Sequence, residues 1–343
     1  MMLALRKLRP NVAELELVEM PDPRPPSGEV LIEVAGAGIC GTDLHIIDGT
    51  YASKPPVTLG HEFAGRVIAL GDGVDSSLLG HTVAVEPPVS CGVCEWCTRQ
   101  LPMHCRERRS LGTSRDGGFA THVVVPARNL HRLPDSMAPL LGALVEPLAC
   151  VCNGLLDPDV IAPGTRVVVI GPGPVGLLAT QVAAALGADV TLVGLDRDSQ
   201  RLRIASQMGL DARCLDAEGI RSELEHEGRD RRIHVVVECS GSAAGMQWGL
   251  SLPRPRGTHI QLGLLPAAAQ TSFSGAVLSE LQLRTSYGST PVAWNRALEL
   301  LTQGKIQLEP LVTAVRRLEE WRQAVADFEA GIGIKTLFDP QLG

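Results

Sequence analysis

Two rhythms of apolar and polar residues divide the chain. Up to about residue 135, short apolar runs, some alternating and some continuous, are punctuated closely by Gly and Pro, a pattern of β-strands with irregular insertions. Strands are expected over residues 15–18, 30–34, 64–70 and 82–85, the first two separated by the turn-rich Pro21-Asp22-Pro23-Arg24-Pro25-Pro26-Ser27-Gly28. Near residue 140 the rhythm changes. Residues 140–156 are apolar and long enough for a buried helix. Beyond Arg166, short apolar strands (166–170, 189–195, 233–238, 258–263) alternate with amphipathic helices (174–186, 199–208). That alternation implies a parallel, doubly wound sheet. Residues 281–287 read as a last strand, 294–302 and 318–330 as helices, and 333–338 as a closing strand.

Composition narrows the classes of function. A chain of 343 residues can build two domains with substantial cores, and 45% apolar with 20% charged residues describes a soluble globular protein. The net charge of -7 and the shortness of the basic clusters argue against nucleic acid or a membrane surface as partner. The longest basic run, Arg229-Asp230-Arg231-Arg232, reads as a solvated loop. No apolar run of transmembrane length and no N-terminal signal core are read from the sequence, so a cytoplasmic protein is expected. Nine cysteines then point to metal or free thiols rather than disulfides. With 3% aromatic residues, a wide aromatic pocket is not expected.

The candidate chemistry starts at Gly38-Ile39-Cys40-Gly41-Thr42-Asp43-Leu44-His45 and Gly60-His61-Glu62. Cys, His and Glu are zinc ligands, and three protein ligands with one open position suit a catalytic Zn2+. Cys40, His61 and Glu62 are the expected ligands, and Glu146, in Val145-Glu146-Pro147-Leu148, is a further candidate. Asp43 is placed to hold the second nitrogen of His61, or to cap a turn. A zinc ion would lower the pKa of a bound hydroxyl from about 16 toward about 7, roughly 12 kcal/mol in favour of the ionised form. Thr42 would then accept the proton and His45 pass it toward solvent, unless His45 is simply a surface residue. Tyr51 is a candidate pocket residue or a packing one.

A second ligand set is Cys91, Cys94, Cys97 and Cys105, spaced C-x2-C-x2-C-x7-C. Four thiolates close the tetrahedral shell of a structural Zn2+. An iron–sulfur cluster uses four thiolates as well. His104 is expected outside the shell. The third motif is Gly171-Pro172-Gly173-Pro174-Val175-Gly176, a G-x-G-x-x-G that follows an expected strand and opens an expected helix. Its glycines allow a tight turn and a pyrophosphate on the helix N-terminus. Asp196, twenty residues after Gly176, is placed for the ribose hydroxyls and favours NAD. Arg197 beside it keeps NADP open. Arg201 covers the adenine or is a helix-surface charge.

With Gly60–Gly65, Gly117-Gly118-Phe119-Ala120, Glu146-Pro147-Leu148 and Glu238-Cys239-Ser240-Gly241, these motifs make the chain resemble a zinc-dependent medium-chain dehydrogenase/reductase over nearly its whole length. The resemblance implies a GroES-like β-barrel catalytic domain from residues 1–150 and a return at 288–343, with an NAD-binding Rossmann domain at 151–287. It implies sites in a cleft and a homodimer or homotetramer. Glu146 stands where typical alcohol dehydrogenases carry a zinc-binding Cys. Sorbitol and threonine dehydrogenases resemble this chain in an acidic residue there, and in them Glu62 or Glu146 would ligate zinc directly or through water. Cys150 falls where relatives touch the nicotinamide, or packs in the core. Ser286-Tyr287-Gly288-Ser289 replaces the Arg-Tyr pair of many sorbitol dehydrogenases, which puts sorbitol itself in doubt. The expectation is an NAD-dependent oxidoreductase acting on a secondary alcohol of a small polar molecule: a polyol, sugar or cyclitol. A threonine-dehydrogenase-like or aminocyclitol-oxidising activity is the alternative. From another class, a non-enzymatic NAD(H)- or zinc-binding sensor would be expected to have lost Cys40, Thr42 or His61, all of which are present.

Overall fold

The computed structural model describes residues 1–10, 14–156, 160–226, 233–265 and 271–342; the basic run at 229–232 lies outside them. The chain packs as two compact units, Met1–Glu146 with Val312–Gly343, and Pro147–Leu311. The return to the first unit comes at Val312, later than 288. The intervening segment is tied to the second unit: Asn153 Nδ2 donates to Gly288 O at 3.1 Å. Gln181 exchanges two hydrogen bonds with the Gln307 backbone, at 3.2 and 2.7 Å.

The first unit is built on β1 (Glu29–Gly38), helix α1 (Gly41–Asp48) and β2 (Glu62–Leu70). β1 pairs antiparallel with β2, with the strand His122–Pro126 and, at its C-terminal end, with the closing strand Lys335–Phe338. The buried face of β1 gives Val30, Ile32, Val34 and Ala37 to a core with Phe63, Phe119 and Phe338. The Phe119 and Phe338 rings meet edge to face at 5.0 Å. The glycine-rich motif of 117–120 serves this core. A Cβ on Gly118 would strike the Phe63 ring at 2.4 Å, and one on Gly117 would strike Gly60 O at 2.1 Å, so this segment presses directly on the turn that carries His61.

The chain passes from the first unit to the second within the first turn of α2 (Val145–Leu156), which is preceded by a 3-10 turn, Pro139–Leu144. Together these 18 residues have a mean hydropathy of 1.6, long and apolar enough to cross a membrane by length and composition, contrary to the reading of the sequence. Yet 72% of the run is buried inside the protein, as in the core helix of a folded domain. A sheet follows: β3 (Arg166–Ile170), helix α3 (Pro174–Ala185), β4 (Asp189–Gly194), β5 (Ala212–Cys214), β6 (Val235–Glu238), β7 (Thr258–Gln261) and β8 (Gln282–Thr285). Their spatial order is β5-β4-β3-β6-β7-β8, every pair parallel. The order reverses between β3 and β6, and the carboxyl ends of strands at such a reversal are where ligands bind in doubly wound sheets.

Candidate metal centres and dinucleotide turn

α1 was not legible as a helix. Its N-cap is Cys40, with extended backbone (φ -118°, ψ 156°), and it stops at Gly49, whose φ of +86° is the left-handed cap that favours glycine. Asp43 at the third helical position reaches back, Oδ2 accepting from the Cys40 N–H at 2.9 Å. Its other oxygen faces His61 Nδ1 at 3.4 Å. One buried carboxylate therefore locks the cysteine backbone and orients the imidazole, leaving His61 Nε2 as the donor atom for a metal.

His61 follows Gly60, whose φ of +87° and whose missing Cβ, which would strike the Phe119 ring at 2.4 Å, make the turn possible. Glu62 opens β2 directly opposite Gly38. Ligand atoms of Cys40, His61 and Glu62 all lie within 4.8 Å of one another. In this structure Asp43 Oδ1 and His61 Nδ1 are buried and make no hydrogen bond of regular geometry. A thiolate, an imidazole and a carboxylate whose ligand atoms converge in this way fit a Zn2+ ion. The electrostatics agree. Burial works against a charged His61, but Asp43 and Cys40 outweigh it and hold the imidazole well above its ordinary pKa. A metal would take the place of that proton.

Sequence reasoning missed Lys335. The side chain is 3% exposed, pairs with Glu62 Oε2 and donates to Ile39 O at 2.7 Å. Burial opposes its charge, yet Glu62 and Cys40 keep its pKa raised. Gly38 leaves room for the pair, since a Cβ there would lie 2.5 Å from Glu62 Oε2 and 2.8 Å from Lys335 Cε. The available signal was a lone Lys in the apolar run Ile334–Phe338.

The other expected residues are distributed around this group. Thr42 Oγ1 is 3.9 Å from Cys40 Sγ. His45, one turn further along α1, is 52% exposed and lies 3.2 Å from Thr50 Oγ1 and 3.8 Å from Asp48. Tyr51 is half-buried against the first unit's core and donates its backbone N–H to His45 O at 2.8 Å. Glu146 is buried but stands outside the three-ligand group. Cys150 is half-buried on α2, in the second unit.

The four-cysteine lobe is self-contained. Cys91, Cys94, Cys97 and Cys105 also gather their sulfurs within 4.8 Å, with Cys91–Cys97 at 3.8 Å and Cys94–Cys97 at 3.5 Å. Tetrahedral Zn–S bonds of about 2.3 Å require sulfurs about 3.8 Å apart. Backbone N–H groups of Cys94 and Cys91 point at the sulfurs of Cys91 and Cys105, at 3.4 and 3.5 Å. A hydrogen bond from Ser90, with others from Gly92 and neighbouring thiols, pushes Cys97 down to about 6 despite desolvation. His104 stacks obliquely on Trp96, ring centroids 5.3 Å apart, and is no part of the thiol group.

In the second unit the G-x-G-x-x-G turn joins β3 to α3. Gly171 has φ +98°, and a Cβ on Gly176 would sit 1.9 Å from Gly171 O. Gly173 caps α3 with no side chain over it and open space around its Cβ position, and Pro174 and Val175 form the first helical positions. Beyond β4 a concavity of about 460 Å³ is lined by Leu195, Asp196, Arg197, Cys214, Leu215 and Asp216. Asp196 accepts from the Cys214 thiol at 3.1 Å, which raises the thiol pKa. Arg197 is exposed, and Arg201 pairs with Asp198 at 3.9 Å.

Comparison with known proteins supports the same division. The model of the alcohol dehydrogenase GroES-like domain matches residues 26–135, and that of the zinc-binding dehydrogenases matches 174–303. The sorbitol dehydrogenase of Halalkalibacterium halodurans is 36% identical over 99% of both chains. The L-threonine 3-dehydrogenase of Pyrococcus horikoshii is 33% identical over 98% of both. Among solved structures, a candidate zinc-binding dehydrogenase of Sinorhizobium meliloti bound to NADP superposes with a TM-score of 0.91, at 32% identity over 99% of both chains. A GroES-like unit with a Rossmann-type parallel sheet and this set of ligands defines an oxidoreductase that acts on alcohol groups. The chain belongs to the zinc-dependent medium-chain dehydrogenase/reductase family.

Proposed function

We propose that this protein transfers a hydride between a secondary alcohol on a small polar molecule and NAD, using Cys40, His61 and Glu62 to hold a catalytic Zn2+ and the four-cysteine lobe to hold a structural one. The observation that carries the reading is the convergence of three ligands within 4.8 Å on a scaffold that positions each of them. Zinc supplies Lewis acidity that favours ionisation of the substrate hydroxyl. The rest falls to the chain's own residues. Asp43, 3.4 Å from Nδ1, would orient the His61 ring so that Nε2 faces the metal. Lys335 pairs with Oε2 of Glu62 and would hold that carboxylate in place beside the metal. As the carbinol C–H leaves as hydride to the nicotinamide, the hydroxyl proton passes to Thr42 and then to solvent by way of the exposed His45. The carboxylates of Asp196 and Asp216 would repel a 2'-phosphate and Arg197, on the same lining, would attract one, so NAD is the first choice and NADP stays in the test.

Small polar substrates (polyols, sugars, cyclitols) are the first choice. The 33% identity to an L-threonine 3-dehydrogenase keeps hydroxy amino acids in the test. We read the protein as soluble and cytoplasmic. We also expect a homodimer or homotetramer, because the edge strand β8 leaves Leu283 45% exposed, and Val277 and Leu278 in the short helix Ser274–Leu278 that precedes it are 70% and 86% exposed. Such an open apolar edge suits pairing with a second copy, and sedimentation would show a monomer if it does not. The deciding experiment follows NAD and NADP reduction by zinc-loaded protein across polyols, aldoses, cyclitols, aminocyclitols, threonine and simple secondary alcohols. A preferred polar substrate with NAD supports the proposal. No turnover with any of them would overturn it.

A further inference from the structure

Glu238 ends β6, at the reversal of strand order, and is 0% exposed. Burying a carboxylate is costly unless its oxygens are met by donors. Here each oxygen meets two. Oε1 accepts from the backbone N–H of Ser240 at 2.8 Å and from the Ser240 hydroxyl. Oε2 accepts from the Gly241 N–H at 3.1 Å and from Gln261 Nε2 at 2.6 Å. Gln261 is held in that orientation: Nε2 also donates to Gly263 O at 2.8 Å, while Oε1 lies 3.0 Å from His259 Nε2. Four acceptor sites in one plane are a property of a carboxylate that an amide lacks. Glutamine at 238 would aim N–H donors at donors.

The turn held in this way abuts the dinucleotide loop. Cys239 N donates to Ile170 O, the last residue of β3, at 2.9 Å. A Cβ on Gly171 would come within 2.8 Å of Ser240 N, so the Ser240 backbone is the wall against which the first glycine of the loop rests. Gly171 O in turn packs on Gly176 in the first turn of α3. At Gly173, two residues beyond Gly171 along the loop, nothing lies within 4 Å of the Cβ position.

We propose that Glu238 is a positioning residue for the dinucleotide: its four accepted hydrogen bonds set the 239–241 turn, and through Gly171 they set the loop and helix N-terminus that receive the pyrophosphate. This rests on the reading of the second unit as a nicotinamide dinucleotide site. The test compares NADH, titrated by its fluorescence, with adenosine, titrated as a competitor, on zinc-loaded full-length protein. In Glu238→Gln, the Kd for NADH is expected to rise about tenfold, the consequence of one mispaired buried donor set, while that for adenosine stays within about twofold. Should that variant fail to fold, Gln261→Met removes the donor to Oε2 alone and is expected to raise the NADH Kd by about threefold with the same selectivity. An unchanged NADH Kd, or NADH and adenosine weakened in equal proportion, would overturn the inference. Failure of the wild-type protein to bind NADH or NADPH would overturn the underlying dinucleotide reading, and this inference with it.

Discussion

The two metal-ligand groups offer a comparison of local and long-range construction. The thiols of Cys91 to Cys105 come from one short segment, and its own N–H groups serve the sulfurs. The other group is assembled from the N-cap of α1, the turn before β2 and the start of β2, and its carboxylate is held by Lys335, far along the chain. A closed shell of four like ligands stabilises a lobe. Three unlike ligands on separate elements leave a position open, and every distance there depends on the packing of the whole unit.

Substitutions can break or sharpen this comparison. The largest effect is expected from Cys40→Ala or His61→Ala. Turnover should fall on the order of 10³-fold or more, because ionisation of the alcohol loses its Lewis acid. Zinc content should drop from two ions to one, corresponding to the two ligand groups, with little loss of fold. Activity retained in either variant would sink the three-ligand mechanism.

Next is Lys335→Met. Removing the cation beside Glu62 leaves a buried carboxylate without its partner, and supporting contacts of this kind typically control about 10- to 100-fold in metal affinity or activity. Zinc titration of the metal-free protein, read beside kcat, would register the change. Equal affinity in the variant would mean that the ion pair is only a fold contact.

Cys97→Ser tests the other group. It should also lower zinc content by one ion, but kcat measured well below the melting temperature should change by less than about threefold, while Tm falls by several degrees. A kcat loss as large as that of Cys40→Ala would erase the distinction between the two sites.

The smallest effect concerns the second unit. His234 Nδ1 accepts from the Arg166 N–H at 2.9 Å, at the start of β3. Burial, then the charges of Arg254 and Arg166, depress its pKa below the ordinary 6.5. A depressed folded-state value means that the unfolded chain binds the proton more readily, so this contribution is present above the ordinary value and is lost as pH falls through the folded one. Tm should therefore decline more steeply below pH 6.5 in the wild type than in His234→Gln. Identical slopes would remove His234 from the account.

Much of the fold was legible because it rests on period and punctuation. The strands at 82–85 and 166–170 have the bounds read from the sequence, and the helix expected at 174–186 spans Pro174–Ala185. α1 was hidden because only eight residues long, and its start signal is an unusual one, Cys40 capped by Asp43. The apolar stretch 140–156 looked like one helix but divides into Pro139–Leu144 and Val145–Leu156, a distinction that periodicity does not carry. Glu238 was visible only as part of a motif, since its four donors come from two strands' ends.

By itself the sequence determined which chemistry was present: thiols at three-residue spacing, a Cys, a His and a Glu beside turn glycines, and a glycine loop between strand and helix. These are local facts, written in spacing, because neighbours in the chain are neighbours in space. The tertiary structure decided which of these residues meet. It drew Cys40, His61 and Glu62 together without Glu146, placed Lys335 on Glu62, and set Glu238 behind the dinucleotide loop. Those contacts depend on strand register and on where a Cβ is missing, and both are set only when the sheets have packed.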